Sequence, residues 1–464
     1  MIDRDSFEKL NLSIAFTEDL DRELEGHLNK GSRQEDLTFA LWQPSQGATR
    51  YTAILQRLIL PRENDRILQG NVAFTSDYLL RVLEEAKEGY GIALLRSHLG
   101  PGWQMMSYDD VVAERDRLAA VVAGKTKLPL VGLTRGTDGY WSGRFWLKGS
   151  SKEYVRKWVK NVRVIGQQLR VSFNPQLMPP LSSTDSQIAT VSVWGEENQS
   201  ILSRLHIGII GLGSVGSIVA EALSRIGVSR ITLIDHDKIE LRNLDRTLGA
   251  TMEDVINKTP KVKVSERVIK ASHTSQKINI LPFEGTLRSL EGLSHALDCD
   301  VLFSCVDRPF PRHMLNSLAY GHLIPVIDGG IKVKVNNHGK LLHADWRIHT
   351  VGPGRACMIC LGALNMVEVA LDMDGKLDDP VYIQGLGPEL NPLLQRQNVF
   401  PFSLSVAAHE VLHLMGLIAG NPRIGGIGPQ FYHCYPGMME AKHSTQCSCD
   451  CEYNKLIGQV NQVI

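Results

Sequence analysis

The stretch Leu205-His206-Ile207-Gly208-Ile209-Ile210-Gly211-Leu212-Gly213-Ser214-Val215-Gly216 decides how the chain reads. Its apolar run, Leu205 to Ile210, is a buried strand. Three glycines come next at the spacing G-x-G-x-x-G, and Ser214 to Gly227 carries apolar residues at helical spacing. Glycines in such a turn let backbone N–H groups approach a phosphate at the N-terminus of the helix. The next strand, Arg230 to Asp235, ends on a carboxylate about twenty residues further on, where it can bind a ribose hydroxyl. Read this far, Gly211, Gly213, Gly216 and Asp235 make a nucleotide site of the dinucleotide type.

The alternation continues downstream. Asp254 to Ser272 reads as a helix, Ile278 to Phe283 and Val301 to Cys305 as strands, Pro311 to Gly321 as a helix and Ile324 to Asp328 as a strand. Strands separated by helical patterns predict parallel βαβ units, hence an α/β fold with a doubly wound, mostly parallel sheet. Lys332 to Val335 and Leu341 to Ile348, joined through Asn336-Asn337-His338-Gly339, predict an antiparallel hairpin. Upstream, Ser76 to Gly89 and Ser107 to Gly124 read as helices and Ile92 to Leu95 as a buried strand. Proline and serine accumulate from Asn174 to Ser186, which reads as a linker. The expected domains are therefore 1–173, a linker over 174–186, and 187–464. The basic stretch Lys152 to Arg170 reads as a solvated strand or helix face.

The chain has 464 residues, about three domain lengths. Apolar residues make up 43% and charged residues 22%, a globular balance, and Lys+Arg and Asp+Glu both number 50. That balance gives no net field for nucleic acid or an anionic membrane. No uninterrupted apolar stretch approaches a membrane span, and the polar start Met-Ile-Asp-Arg-Asp-Ser is no signal peptide. A cytoplasmic enzyme or binding protein is expected. The eight cysteines all lie between Cys299 and Cys451, five of them in Cys357-x-x-Cys360 and Cys447-x-Cys449-x-Cys451. Clustered cysteines in a long reducing-compartment chain point to a metal or to thiol chemistry before disulfides.

The residues after Asp235 lead away from hydride transfer. Asp235-His236-Asp237-Lys238-Ile239-Glu240, running into Asn243-Leu244-Asp245-Arg246, closely resembles the DxDxVExxNLxRQ stretch of the ThiF/MoeB/ubiquitin-activating superfamily. Lys261 falls in Asp254-to-Val262, similar to the family's DxGxxKA, with Lys258 as the fallback because the segment is one residue longer. Asp307 and Arg312 fall in Cys305-to-Arg312, similar to CTDNxxxR, and Ser403 to Gly420 is similar to the family's closing helix. The resemblance covers roughly residues 185 to 451.

It implies adenylation of the C-terminal glycine of a ubiquitin-like protein, with transfer to a conjugating enzyme, ATP and Mg²⁺ at the site, and a homodimer. Arg246 and Lys261 would contact phosphates, Asp307 would hold Mg²⁺, and Asp237 and Asn243 would join the ATP site. Fixed cations suit the charge that builds when a carboxylate attacks an α-phosphate. There are departures. The family's RQ element, whose arginine reaches a dimer partner's ATP, is here Asp185-Ser186-Gln187. Arg308 replaces the family's Asn, and Thr247 its Gln.

Cys357-Met-Ile-Cys360 is similar to the first zinc pair of MoeB and of the enzyme that activates the ubiquitin-fold modifier. Two of Cys447, Cys449 and Cys451 would complete a four-thiolate Zn²⁺ site. A thioester-forming cysteine lies in modifier-activating relatives between the zinc pair and the last helix, within a crossover loop expected here over 361–400, but Leu361 to Leu417 holds no cysteine. Either the spare C-terminal cysteine or Cys434 serves, or the reaction stops at the adenylate. Cys299 and Cys305 read as core residues.

In the N-terminal half, Arg96-Ser97-His98-Leu99-Gly100-Pro101 through Ser107-Tyr108-Asp109-Asp110 looks like a decayed JAMM/JAB isopeptidase motif, HxHP…SxxD, with Glu35 as its upstream glutamate. One histidine is absent: Arg96 or Gly100 stands in its place. The bland alternative is that Ser107 and Asp110 cap a helix and His98 is an ordinary strand-end residue. Fusion of JAB-like and ThiF-like halves implies a bacterial, antiviral ubiquitin-like pathway. Two other readings stay open: a sulfur-carrier adenylyltransferase for cofactor synthesis, and a catalytically dead modifier-binding scaffold.

Overall fold

The computed structural model describes every residue except 1–6, 8, 30–33, 70, 87, 150–152, 337, 339, 380–397, 420–426, 442–445, 449, 463 and 464. Cys449 and part of the expected crossover loop therefore lie outside the described residues. The chain forms two compact units, the first made of the chain up to Pro180 with Gly321–Leu323 and the residues from Leu456 on, the second of Leu181–Tyr320 and Ile324–Lys455. The division falls inside the proline- and serine-rich segment. The residues from Leu456 on group with the first unit, not with the second as the sequence order implied.

The first unit is built on a nine-stranded mixed sheet. Its strands are β1 (Asn11–Thr17), β2 (Leu37–Gln46), β3 (Arg50–Ile59), β6 (Gly91–Ser97), β7 (Leu130–Arg135), β8 (Trp141–Lys148), β9 (Tyr154–Trp158), β10 (Asn161–Ile165) and β11 (Leu169–Phe173). β4 (Arg66–Gln69) and β5 (Asn71–Phe74) form a separate hairpin, and the large sheet runs β11-β10-β1-β3-β2-β6-β7-β8-β9. Period-two alternation sends Ala40 and Trp42 of β2 into one apolar layer with Tyr51, Trp141 and Phe145. Phe39 and Leu41 point into the other, with Tyr78, Leu94 and Trp146. Both faces are covered. Gly91 is required here, because a Cβ at that position would sit 2.2 Å from the Trp42 ring.

Two expectations change in this unit. The helix Tyr108–Val111 passes through a π-helical stretch, Val112–Leu118, before resuming as Ala119–Thr126. That wider turn carries the fully buried Glu114, which accepts from Arg144 Nε (2.8 Å) and Trp146 Nε1 (2.7 Å). The basic stretch 152–170 is not a solvated face throughout: β10 lies between β1 and β11 and Arg163 is fully buried. Charge in a strand says nothing about which neighbours cover it.

The second unit holds an eight-stranded sheet. Its strands are β12 (His206–Ile210), β13 (Arg230–Ile234), β14 (Asn279–Phe283), β15 (Val301–Ser304), β16 (Val326–Val335), β17 (Leu341–Val351), β18 (Gln430–His433) and β19 (Met438–Ala441). The order is β14-β13-β12-β15-β16-β17-β18-β19. β14 to β16 pair in parallel and β16 to β19 antiparallel. The doubly wound, mostly parallel α/β arrangement read from the sequence is present. From β12 the chain moves to β13 on one side and later to β15 on the other, so the C-terminal end of β12 is a topological switch point, the usual ligand crevice of such sheets.

The expected helix Asp254–Ser272 is two helices, Met252–Ile256 and Lys261–Ser272. Between them Lys258 adopts a positive φ of 49°, and Pro260, which cannot continue a helix, starts the second. The expected strand Ile324–Asp328 and first hairpin arm Lys332–Val335 are one strand, β16, running through Gly329-Gly330. These glycines permit close packing on both faces: a Cβ on Gly329 would lie 2.5 Å from Val406 and 2.3 Å from Glu410, and one on Gly330 would lie 2.7 Å from Arg347.

Val406 and Glu410 belong to the helix Phe400–Ile418, which by length and composition alone is apolar enough to cross a membrane. It carries the buried Glu410 and His413 and packs on β16 and β17, as a core helix does.

Candidate functional site

At the end of β12 the three glycines have different reasons to be there. Gly211 has a φ of +89°, and a Cβ on it would lie 2.6 Å from the Cys305 carbonyl. A Cβ on Gly216 would lie 1.9 Å from the Gly211 carbonyl, so this glycine lets the helix Ser214–Arg225 seat on its own loop. Gly213 has a negative φ of −75° and a Cβ there would meet nothing within 4 Å. Gly213 is the N-cap of this helix, a position where glycine is among the preferred residues, and the open space beside it leaves the backbone accessible.

Asp235 comes directly after β13 and is buried. Its Oδ2 accepts from Leu212 N–H (2.6 Å) and its Oδ1 from Asp237 N–H (2.7 Å), so it buckles the glycine loop to the end of the neighbouring strand. Burial raises its pKa, opposed by Lys261 and the two N–H groups. Each oxygen keeps a lone pair, but the carboxylate that faces outward is Asp237, whose side chain is 49% exposed. Lys261, buried at the start of its helix, reaches Asp237 Oδ2 at 2.7 Å, and its N–H donates to the Asp237 carbonyl. Asp235, His236 and Asp237 present ligand atoms within 4.8 Å of one another. Lys258, the fallback for Lys261, is exposed on the turn.

The remaining expected residues are dispersed around this centre. Asn243 Oδ1 accepts from Glu240 N–H (2.9 Å) and shapes the turn that carries Arg246, whose guanidinium meets Asp245 at 3.3 Å. Leu248 N–H to Ser217 Oγ (3.1 Å) ties that turn to the glycine-loop helix. Asp307 is exposed in the segment just past β15, the strand that pairs with β12. Near the loop, Asn398 went unnoticed in the sequence, and Ser403 was read there only as the start of the closing helix. Asn398 donates to Ser214 Oγ (3.0 Å) and Ser403 Oγ (2.8 Å), fixing the first residue of the loop helix. No motif marks Asn398.

The departures from the family pattern have local roles. Gln187 donates to Thr274 Oγ1 (3.1 Å) and accepts from Thr184 N–H (3.1 Å). Arg308 pairs with Asp372 and Asp378. Arg312 grips the fully buried Asp328 through Nε (3.0 Å) and Nη2 (2.5 Å). Burial alone would raise the Asp328 pKa; Arg312, His349 and Arg347 outweigh it and hold the carboxyl at about 2.

Cys357, Cys360, Cys447 and Cys451 bring their sulfurs within 4.8 Å of one another. Cys357 Sγ and Cys451 Sγ are 3.6 Å apart, far beyond the roughly 2.05 Å of a disulfide. That spacing suits the edge of a tetrahedron of thiolates each about 2.3 Å from a zinc ion. Backbone N–H groups point at the sulfurs, Cys357 N–H at Cys447 Sγ (3.1 Å) and Cys360 N–H at Cys357 Sγ (3.4 Å), and favour thiolates. The hydrogen bond between the Cys357 and Cys447 side chains draws the Cys447 thiol down and pushes the Cys357 thiol up, so Cys447 is the one that ionises first. Cys299 is fully buried, and burial pushes the Cys305 thiol, which donates to Glu410 (3.7 Å), well up. Cys434 is half-buried and donates its N–H to the Ala344 carbonyl (3.0 Å).

In the first unit Arg96, His98, Ser107 and Asp110, the residues that resemble a decayed JAMM motif in sequence, come together. Arg96, on β6, forms an ion pair with Asp110, whose other oxygen is 3.1 Å from His98 Nε2. Ser107 and Asp110 form a full capping box as well. Burial, then Arg96, lowers the His98 pKa to about 4, and burial raises that of Glu35 against the opposing charge of Arg96.

Residues 184–367 match the ThiF family. The chain is 28% identical over 202 residues to ubiquitin-like modifier-activating enzyme 5 of Xenopus laevis, covering 39% of this chain and 46% of that protein. It is 26% identical over 169 residues to the molybdopterin-synthase adenylyltransferase of Escherichia coli strain K12, covering 36% of this chain and 63% of that one. The chain thus spans less than two thirds of either relative. Escherichia coli MccB solved with ATP overlays with a TM-score of 0.44 at 18% identity, over 58% of this chain and 74% of that chain. Apart from Gly321–Leu323, the residues that match the ThiF family fall within the second unit, and the relatives similar over this region are an activating enzyme and an adenylyltransferase.

Proposed function

We propose, from the ThiF family domain at residues 184–367, that the second unit adenylates the C-terminal carboxylate of a small ubiquitin-like protein at the expense of ATP. The observation that carries this reading is the glycine loop at the switch point: Gly211 and Gly216 let loop and helix pack closely, and the space beside Gly213 is open, with Lys261 held by the half-exposed Asp237. In the reaction a carboxylate oxygen attacks the α-phosphorus, the bond to the β-phosphate oxygen breaks, and pyrophosphate leaves. The N–H groups of the loop and helix N-terminus bind phosphate oxygens. Lys261 exchanges the half-exposed Asp237 for a phosphate, at little cost because Asp237 is rehydrated when released. Arg246 adds a second cation. Mg²⁺ arriving with ATP, for which the exposed Asp307 carboxylate offers a suitable hard oxygen, would neutralise phosphate charge. Cys357, Cys360, Cys447 and Cys451 would hold a structural Zn²⁺, consistent with their spacing and N–H···S bonds.

The test is ATP–pyrophosphate exchange with small β-grasp proteins ending in glycine. Exchange that is lost in Lys261→Ala and in Asp307→Ala supports the reading; ATP binding without exchange for any such protein turns it into a scaffold. The absence of cysteine from Leu361 to Leu417 favours, as a second reading, an adenylate passed to sulfur rather than to a cysteine of this chain. A thiocarboxylate on the modifier in intact-mass analysis supports that, and a modifier–cysteine adduct overturns it.

For the first unit we propose a JAB-like domain whose metal position is filled by Arg96. The guanidinium supplies Asp110 with the positive charge a metal ion would bring, so no peptidase activity is expected. Cleavage of a modifier fusion by the wild-type chain, abolished by Asp110→Asn, is the result that refutes it.

A further inference from the structure

We propose that Arg347 receives the terminal carboxylate of the protein substrate, at a subsite on the β15–β16 side of the switch point. The inference deepens the adenylation reading and rests on it for the identity of the anion. The nucleotide features, the glycine loop and Asp235, gather at the ends of β12 and β13. A carboxylate that is to meet the α-phosphate has the other side of the switch point open to it. There Ser304, the last residue of β15, pairs with Asp328 of β16 and donates to its Oδ1 (2.8 Å).

Two arginines converge on this one aspartate. Arg312 holds it with two hydrogen bonds, whereas Arg347 Nη2 stands 3.8 Å away, too far for one. Both arginines also donate to a single carbonyl, that of Ala363, Arg312 Nη1 at 3.1 Å and Arg347 Nη2 at 3.0 Å. Arg347 has no other hydrogen bond among the described residues, and its Nε is sealed from solvent without a partner. Its guanidinium lies against Gly330, directly opposite on β16, where a Cβ would come within 2.7 Å of Nη1. Nearby carboxyls do not balance it. Burial and Asp328 raise the Glu410 pKa well up, which disfavours its charge, and Glu368 forms an ion pair with neither arginine. Burial and then Arg312, which repels Arg347 more than Asp328 attracts it, lower the Arg347 pKa to about 10, so the cation persists at neutral pH. The side chain is 22% exposed. A guanidinium with unused donors, one face open and a repelling neighbour is matched by a planar anion with two acceptor oxygens.

The test is saturation-transfer NMR of the full chain with N-acetyl-glycylglycine, which ends in a free carboxylate, and with its C-terminal amide. Wild type should bind the acid about tenfold more tightly than the amide, the scale of one charge-assisted hydrogen bond. Arg347→Gln should bind both alike and keep the wild-type Kd for ATP. Its Tm should hold or rise, because the cation removed is repelled where it stands; loss of a structural ion pair would lower it. Gly330→Ala, which keeps the charge but displaces the guanidinium, should lose the preference too. Equal affinity of wild type for acid and amide overturns the proposal, as does a preference that survives Arg347→Gln. Weaker ATP binding in Arg347→Gln also overturns it, by assigning the arginine to phosphate. The adenylation reading fails separately. A preference for the acid without pyrophosphate exchange leaves this site and removes that reading, and exchange without the preference does the reverse.

Discussion

Arg96 in the first unit and Lys261 in the second are both buried cations paired with an aspartate, yet their partners differ. The Asp110 side chain is 4% exposed and is also held by His98 and the Ser107 capping box. The Asp237 side chain is 49% exposed. A pair buried on both sides is a finished structure, because opening it strands two charges away from water. A pair with one foot in solvent can exchange partners, because the released carboxylate is hydrated at once. The difference separates a closed pair from one that can open, although both are written with the same residue types.

The largest break in that comparison is expected from Arg96→Ala. It leaves Asp110 buried without its cation and should cost about 3–5 kcal/mol of stability in urea unfolding followed by Trp fluorescence. A loss below about 1 kcal/mol would show that the pair is not closed. Lys261→Ala should do the reverse. Exchange should fall about 10²–10³-fold, equivalent to about 2.7–4 kcal/mol, while stability changes by less than about 1 kcal/mol; equal damage to both readouts would erase the distinction.

Acid should affect both units alike. Burial lowers the pKa of His98 in the first unit and of His413 in the second from 6.5 to about 4 in each case. The unfolded chain then binds more protons than the folded one below pH 6.5, so stability falls as pH drops toward 4. Each imidazole contributes up to about 3 kcal/mol of that loss. His413→Gln should flatten the fall between pH 6.5 and 4; an unchanged pH dependence of Tm would remove His413 from the account. The smallest expected effect sharpens the open side. Gly213→Ala should weaken ATP binding about tenfold, or about 1.4 kcal/mol, with a stability loss of no more than about 1 kcal/mol from the poorer N-cap. ATP binding as tight as in wild type would mean that no ligand approaches there.

Much of the second unit was legible in its residues. Alternating strands and helices after Leu205 disclose the parallel sheet, because each element's burial pattern is local. The glycine spacing discloses the switch-point loop. The sequence did not tell that Asp235 is occupied by loop N–H groups while Asp237 faces outward, since both sit in the same DxD spacing and differ only in what folds against them. β16 was hidden because Gly329-Gly330 reads as a break, whereas two packed neighbours require the small residues. In the first unit, Arg163 looked solvated because a charge carries no mark of the strands on either side. The meeting of Cys357 and Cys360 with two of the three C-terminal cysteines was legible through the family resemblance, and Cys447 and Cys451 are found beside them.

The cysteine cluster sets a timetable for synthesis. Cys357 and Cys447 are 90 residues apart in the chain. At about 5–20 residues per second, the first pair leaves the ribosome on the order of 5–20 s before its partners. Through that interval Cys357 and Cys360 are reduced thiols with no mates, and β17 presents an edge that β18 has yet to cover. Nascent chains are thus at their most vulnerable to oxidation and edge-to-edge association while the residues between the two cysteine pairs are being made, and slow codons there would lengthen that exposure.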